Sequence, residues 1–125
     1  MKLFVTGSDG LVGSRFLELK GDSFEITALE IDDLDLTDKE RVKDYFSKNS
    51  FDGLVHFAAY TDVGKAEEHR GNRQEACWRV NVNGTRNLVE AINPIKTHFV
   101  YISTDMVFSG SEEDPGPYSE NHQIE

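Results

Sequence analysis

Three glycines at positions 7, 10 and 13 punctuate the opening segment TGSDGLVG, between one apolar run and another. At the end of a strand, Gly7 allows a tight turn, Gly10 admits a diphosphate close to the backbone, and Gly13 lets a helix pack near the sheet. The first amides of that helix and its dipole then bind the anion. This spacing predicts a dinucleotide-binding turn; an ordinary flexible turn is the alternative interpretation.

A carboxylate follows at the end of the second apolar run, at Glu30, close to the spacing of about 20 residues used by dinucleotide-binding folds. It can accept hydrogen bonds from both hydroxyls of a ribose, and it opposes a 2′-phosphate. Asp32 and Asp33 add negative charge, and no Lys or Arg lies between residues 21 and 38. The pattern predicts NAD as cofactor, with NADP possible; a solvated strand end is the alternative for Glu30.

The charge balance excludes some partners. Asp and Glu number 23 against 13 Lys and Arg, a formal net charge of −10, which argues against nucleic acid and anionic membranes. No apolar run approaches the roughly 20 residues that span a bilayer, and the start lacks the features of a signal peptide. We therefore expect a cytoplasmic protein. The four histidines lack ligand-like spacing, so no metal site is predicted, and the single cysteine, Cys77, is interpreted as packing.

Strands alternating with helices must position these groups. Strands are predicted at residues 2–6, 24–30, 34–36, 54–59 and 97–104, and helices at 11–20 and 72–92, with a loop at 61–72. A further helix is predicted to run to about Asn49, with either Thr37 or Asp38 as its N-cap. Strands that are apolar on both faces favour a parallel sheet covered on each side. We expect one domain over residues 1–125, an α/β fold of the Rossmann type. Its doubly wound parallel sheet has strand order 3-2-1-4-5 and lacks the later strands.

Five segments make the chain recognisable: TGSDGLVGS, LDLTD, VHFAAYTDVGKAE, VNVNGTRNL and YISTDMVFSG with a later PYSE. Together they resemble the extended short-chain dehydrogenase/reductases, and within them the N-terminal part of the dTDP-4-dehydrorhamnose reductase (RmlD-like) family. The resemblance implies an NAD(P)-dependent oxidoreductase of nucleotide-sugar metabolism, as in dTDP-rhamnose biosynthesis. Its partner would be a nucleotide-activated keto sugar, similar to a dTDP-sugar.

The resemblance also implies roles for individual residues. Asp35 and Leu36 would meet the adenine, Thr61 would lie near the mouth of the site, and Asn81 would help to organise it. Thr104 and Asp105 form the implied catalytic pair: a hydroxyl that donates to the ketone oxygen, and a carboxylate that orients a sugar hydroxyl. A local turn after the strand is the alternative for that pair. The implied cofactor-binding residues are Gly7, Asp9, Gly10, Leu11, Gly13, Glu30, Asp35, Leu36, Ala58, Ala59, Tyr60, Lys65, Asn81 and Ser103.

The sequence departs from the family pattern in several places. Gly64 replaces the usual aspartate, Met106 stands where an aromatic residue is common, and residues 68–76 look longer than usual, which leaves the subgroup open. Enzymes of this kind need a tyrosine with a lysine four residues later, to supply a proton. The residues four positions after Tyr45, Tyr60, Tyr101 and Tyr118 are Asn49, Gly64, Asp105 and His122.

Because that pair is missing, we expect the chain to be the N-terminal part of a longer enzyme or a truncated product. By itself it should bind dinucleotide weakly or not at all, and should not reduce ketones. An NAD-dependent epimerase or dehydratase and a non-catalytic dinucleotide-binding regulatory module stay open as alternatives. The last predicted strand would form an edge with unpaired backbone groups, so self-association, coverage by the tail or marginal stability is expected.

Overall fold

The computed structural model describes residues 1–124 and shows strands alternating with helices. The strands are β1 (Lys2–Thr6), β2 (Glu25–Leu29), β3 (Gly53–His56) and β4 (His98–Tyr101). The helices are α1 (Leu11–Leu19), α2 (Lys39–Lys48), α3 (Val63–Glu68), α4 (Ala76–Trp78) and α5 (Thr85–Ile92), with a π-helical segment at Arg79–Gly84 and 3-10 turns at Asn93–Ile95 and Asp105–Val107. None of these helices is long and apolar enough to cross a membrane.

The four strands form one parallel sheet in the order β2-β1-β3-β4. β1 lies inside the sheet, and its Leu3, Phe4 and Val5 are buried because both faces of the strand are covered. This arrangement confirms the predicted α/β class, the parallel pairing and the relative order of these four strands. Their carboxyl ends lie along one edge of the sheet, where open α/β folds bind ligands.

The short strand predicted at residues 34–36 is wrong, because those residues form a turn. The Asp35 carboxylate accepts hydrogen bonds from the backbone N–H and the hydroxyl of Thr37, both at 2.8 Å. Such a local side-chain bond competes with strand pairing. Leu34 and Leu36, whose apolar character suggested a strand, are instead buried in the core.

The predicted loop at 61–72 contains helix α3. Its N-cap is Asp62, whose carboxylate accepts from the N–H of Lys65 at 3.0 Å, a standard helix-start signal that the polar composition hid. The predicted helix at 72–92 begins only at Ala76, because residues 72–75 form a turn in which the Asn72 side chain accepts from the N–H of Gln74. From Ala76 to Ile92 the chain is helical throughout, with the π-helical segment in the middle.

The hydrophobic core lies between the sheet and the pair α2 and α5. Phe4 of β1 stacks on Phe51 at 4.7 Å between ring centres and also contacts Phe46 of α2 at 5.9 Å. Asn87 of α5 donates to the carbonyl of Leu36 at 2.9 Å. This bond anchors the turn after β2 to the helix layer and so fixes one wall of the site described next.

Candidate functional site

A cleft of about 640 Å³ opens at the carboxyl ends of β1, β2 and β3. It has an apolar floor with carboxylates at its rim. Many of the residues predicted to bind a cofactor line it: Gly7, Asp9, Gly10, Leu11, Gly13, Glu30, Asp35, Leu36, Ala58, Ala59 and Tyr60. The structure thus brings together groups from three separate strand ends.

The glycine-rich turn forms the first wall. Gly7 has a φ of +68°, and a side chain there would place its Cβ 2.6 Å from the backbone of Ala58, so only glycine fits. A Cβ on Gly13 would lie 2.8 Å from the Cα of Ser8, so α1 can approach the turn only because residue 13 is glycine. A Cβ on Gly10 would meet a single atom, the carbonyl oxygen of Gly7 at 3.3 Å. The turn is therefore tightly packed at Gly7 and Gly13 and less crowded at Gly10, and this difference fits a diphosphate bound beside Gly10.

Helix α1 presents free amides at this opening. Gly10 is its N-cap and contributes no side-chain cap, and the first turn contains no acidic residue. The amides of Leu11, Val12 and Gly13 are the first of the helix and so lack intrahelical acceptors. Donors of this kind bind an anion without any net positive charge, so a chain with an acidic composition can still bind a diphosphate here.

Glu30 forms the rim beside this turn. Its Oε1 accepts from the N–H of Ser8 at 2.8 Å and also from the Ser8 hydroxyl. The Glu30 N–H itself donates to the Asp33 carboxylate at 3.0 Å. Glu30 is half-buried and held on both sides, so its carboxylate has a defined position at the edge of the cleft.

The far end of the cleft combines an apolar surface with one carboxylate. Ile31, Leu34 and Val80 line it beside Asp35 and Leu36. The hydrogen bonds from Thr37 to Asp35 hold the pKa of that carboxyl below its usual range, so it is an anion that only accepts hydrogen bonds at neutral pH.

Arg79, which the sequence did not single out, supports this end of the cleft. It donates to the Thr37 hydroxyl at 3.2 Å and, through its charge, also lowers the Asp35 pKa. Arg79 and Thr37 lie 42 residues apart along the chain. No local pattern could therefore have indicated the pair.

After β3, the wall of the cleft continues with Ala58, Ala59, Tyr60 and Thr61. Asn81, in the π-helical segment, accepts from the Tyr60 N–H at 2.7 Å and donates to the Tyr60 carbonyl at 3.0 Å. It does not line the cleft itself. Asn81 therefore acts on the site by fixing the backbone of Tyr60.

The remaining predicted residues lie outside the cleft. Lys65 of α3 is exposed and pairs with Asp62 at 3.5 Å. Ser103 is exposed beyond β4. The Thr104 hydroxyl donates to the Asp105 carboxylate at 3.2 Å and accepts from the Met106 N–H at 3.3 Å. This is the local turn that stood as the alternative for Thr104 and Asp105, and their catalytic roles stay predictions.

Below the cleft, His56 of β3 is buried between two threonines. Its Nδ1 lies 2.6 Å from the Thr6 hydroxyl and its Nε2 lies 3.0 Å from the Thr85 hydroxyl. Burial lowers the pKa of His56 to about 4, so the ring is neutral at physiological pH. It links β1, β3 and α5 directly under the turn that bears Gly7. Within residues 1–124, no group of three or more His, Cys, Asp or Glu side chains is placed to hold a metal ion.

Comparisons of the sequence and of the structure with known proteins point to the same family. The sequence profile described as "RmlD substrate binding domain" matches residues 1–125. A dTDP-4-dehydrorhamnose reductase from Aggregatibacter actinomycetemcomitans is 31% identical over 125 residues, which cover 98% of this chain and 40% of that protein. The chain thus spans about 40% of the length of that relative.

Solved structures of the same kind superimpose on the whole chain. A dTDP-4-dehydrorhamnose reductase from Clostridium acetobutylicum has a TM-score of 0.86 and 31% identity, covering 100% of this chain and 43% of that one. Another, from Bacillus anthracis in complex with NADP, has a TM-score of 0.84 and 30% identity, covering 99% of this chain and 43% of that one.

Proposed function

This chain belongs to the RmlD substrate binding domain family, and on that premise we propose that it is the cofactor-binding part of an NAD(P)-dependent reductase of a nucleotide-activated keto sugar. The resemblance that the motifs carried is confirmed. The observation that carries the proposal is the cleft in which the open Gly10 turn, the first amides of α1 and the Glu30 carboxylate converge. The names of the relatives support a substrate similar to a dTDP-sugar. Because such sugars and nicotinamide cofactors are cytoplasmic metabolites, we propose a cytoplasmic location.

In this proposal the cleft binds the cofactor in three parts. The amides of α1 bind the diphosphate, Glu30 accepts from the adenosine ribose hydroxyls, and the apolar end holds the adenine. Asp35 accepts from the exocyclic amine of adenine, since its carboxyl is an anion at neutral pH. A carboxylate at the ribose position favours NAD over NADP. The Bacillus anthracis relative that holds NADP makes this choice a matter for direct measurement.

The bound cofactor supplies hydride to a ketone carbon of the sugar. The role proposed for Thr104 is to donate a hydrogen bond to the ketone oxygen, where negative charge develops. For this role its bond to Asp105 must open, which also frees the Asp105 carboxylate to orient a sugar hydroxyl. The 125 residues contain no tyrosine with a lysine four positions later. We therefore propose that this segment alone does not turn over ketones.

That same observation favours one second candidate, a dinucleotide-binding module that regulates a partner enzyme. Both functions use the same cleft, so they differ only in whether hydride transfer follows binding. NADH oxidation by the full-length polypeptide in the presence of a dTDP-keto-sugar separates them. Turnover identifies the reductase, and binding without turnover identifies the module.

The binding proposal is tested by closing the turn at Gly10. Its φ of −69° suits any residue, and the added Cβ would lie 3.3 Å from the Gly7 carbonyl oxygen, a contact that a shift of a few tenths of an ångström relieves. Gly10→Ala should therefore fold, with a methyl group at the opening where the diphosphate must approach. In fluorescence titrations of the full-length polypeptide we expect NADH affinity to fall by about tenfold or more. Gly64→Ala is the matched control, because its Cβ would meet only Asp62 at an ordinary 3.6 Å, away from the cleft. Unchanged NADH affinity in Gly10→Ala would refute the assignment.

A further inference from the structure

Ser8 is buried in the glycine-rich turn, and both of its hydrogen-bond donors go to the same atom. The backbone N–H donates to the Glu30 Oε1 at 2.8 Å, and the hydroxyl donates to that same oxygen. Ser8 is only 5% exposed, so its two donors are shielded from competing water. No residue among 1–124 donates to the other oxygen, Oε2.

A carboxylate held by two donors on one oxygen loses its rotational freedom. Charge-assisted bonds of this kind are stronger than neutral ones, and both come from one rigid turn. Oε1 is saturated, so Oε2 is the oxygen left to accept from ribose hydroxyls. We propose that Ser8 is a specificity-determining residue that positions Glu30 for the ribose of NAD, an inference that rests on the proposed function of the cleft.

The same two donors have a second consequence for NADP. A 2′-phosphate needs donors or cations, and the described residues that line the cleft include no Lys or Arg. Arg41, at the start of α2, donates to the Asp33 carbonyl at 3.0 Å, and Arg79 donates to Thr37. The Ser8 amide and hydroxyl are the described donors that contact the Glu30 carboxylate, and Glu30 occupies them. Removing the Glu30 carboxylate frees both Ser8 donors to bind a 2′-phosphate. Ser8 then favours NADPH binding instead of NADH binding.

This reversal is measured with a double-mutant cycle in the full-length polypeptide. Wild type, Ser8→Ala, Glu30→Ala and the double variant are titrated with NADH and with NADPH by cofactor fluorescence. With Glu30 present, we expect Ser8→Ala to weaken NADH by about three- to tenfold and to change NADPH less. This is smaller than the effect of a direct charge-assisted bond, because the hydroxyl acts on NADH only through the position of Glu30. In the Glu30→Ala background, which binds NADPH more tightly, the same change weakens NADPH instead and leaves NADH unaltered.

Two controls separate positioning from folding. Ser14→Ala removes a hydroxyl from α1 whose one bond within residues 1–124 goes to the Leu11 carbonyl, and it should leave both affinities unchanged. Ser8→Cys keeps a side chain of the same shape, slightly larger, but replaces the hydroxyl with a weak donor, so it should shift the NADH-to-NADPH ratio as Ser8→Ala does. Thermal unfolding of each variant shows whether it is folded at the temperature of the titration.

The outcomes are distinct. The inference is supported if Ser8→Ala lowers the ratio of NADH affinity to NADPH affinity when Glu30 is present and raises it in the Glu30→Ala background. An unchanged ratio, or an equal loss of both cofactors in both backgrounds, overturns it, because a structural serine acts on both alike. Wild type that binds neither cofactor overturns the proposed function itself, and the inference with it.

Discussion

Acidification should destabilise the protein through His56, the neutral ring that joins the strands below the cleft. Its pKa falls from 6.5 to about 4 on burial between Thr6 and Thr85. In the unfolded chain the ring is accessible and titrates near 6.5. Between these values the unfolded state binds a proton that the folded state does not, so stability decreases as the pH falls.

The magnitude follows from the difference in pKa. Each unit is worth about 1.4 kcal/mol, so the full difference corresponds to about 3 kcal/mol of unfolding free energy. This contribution is fully present above pH 6.5, is lost progressively as the pH falls to about 4, and changes no further below that. Asp35 and Glu90, whose pKa values are also lowered, lose their contributions at lower pH because carboxyls titrate near 4 even when unfolded.

Urea unfolding followed by circular dichroism, at intervals from pH 8 to pH 4, measures this dependence. His56→Gln keeps polar atoms near both threonines but does not titrate, so its stability should vary less with pH by about 3 kcal/mol across that range. His98→Gln, on the exposed part of β4, is the matched control and should follow wild type. Parallel curves for wild type and His56→Gln between pH 6.5 and pH 4 would refute the assignment of the low pKa to burial of His56.

Two further predictions concern the strand ends. Asn81→Ala removes both bonds to the Tyr60 backbone and should weaken NADH binding several-fold; an affinity equal to that of wild type would show that Tyr60 is held without Asn81. We also propose that the 125-residue segment self-associates through β4, the edge strand of the described sheet, where Val100 and Tyr101 are each 49% exposed. Sedimentation velocity should detect dimers or larger species that Val100→Lys disperses, whereas a monomer at all concentrations would contradict this.

The sheet was predictable because its strands are short apolar runs between turn signals. Burial is nearly complete only for the central strands β1 and β3, whereas the edge strands β2 and β4 are partly exposed. The glycine spacing predicted the tight turn and the close packing of α1, since Gly7 and Gly13 are constrained by contacts within the turn and with the backbone after β3. The turn at Asp35 was missed, although Asp followed two residues later by Thr is a local signal, because the flanking leucines matched a strand more strongly.

The contacts that organise the site were beyond sequence reasoning for a different reason. Ser8 reaches Glu30 across 22 residues, and Arg79 reaches Thr37 across 42. Each partner is an ordinary polar residue, and its structural role depends on which residues the sheet places beside it. Spacing rules identified the carboxylate at Glu30 but not the donors that hold it.

The two halves of the predicted site also differ in how they are held. The cofactor half rests on bonds that cross the fold: Ser8 to Glu30, Asn81 to Tyr60, and His56 to two threonines. At the β4 end, Thr104 donates a hydrogen bond to its neighbour Asp105, and both residues are exposed. Cofactor affinity should therefore depend on a geometry that already exists, because the ordering cost of those groups is met by folding. The roles proposed for Thr104 and Asp105 require a rearrangement after β4, so substitutions there should change turnover and leave dinucleotide binding almost unaltered.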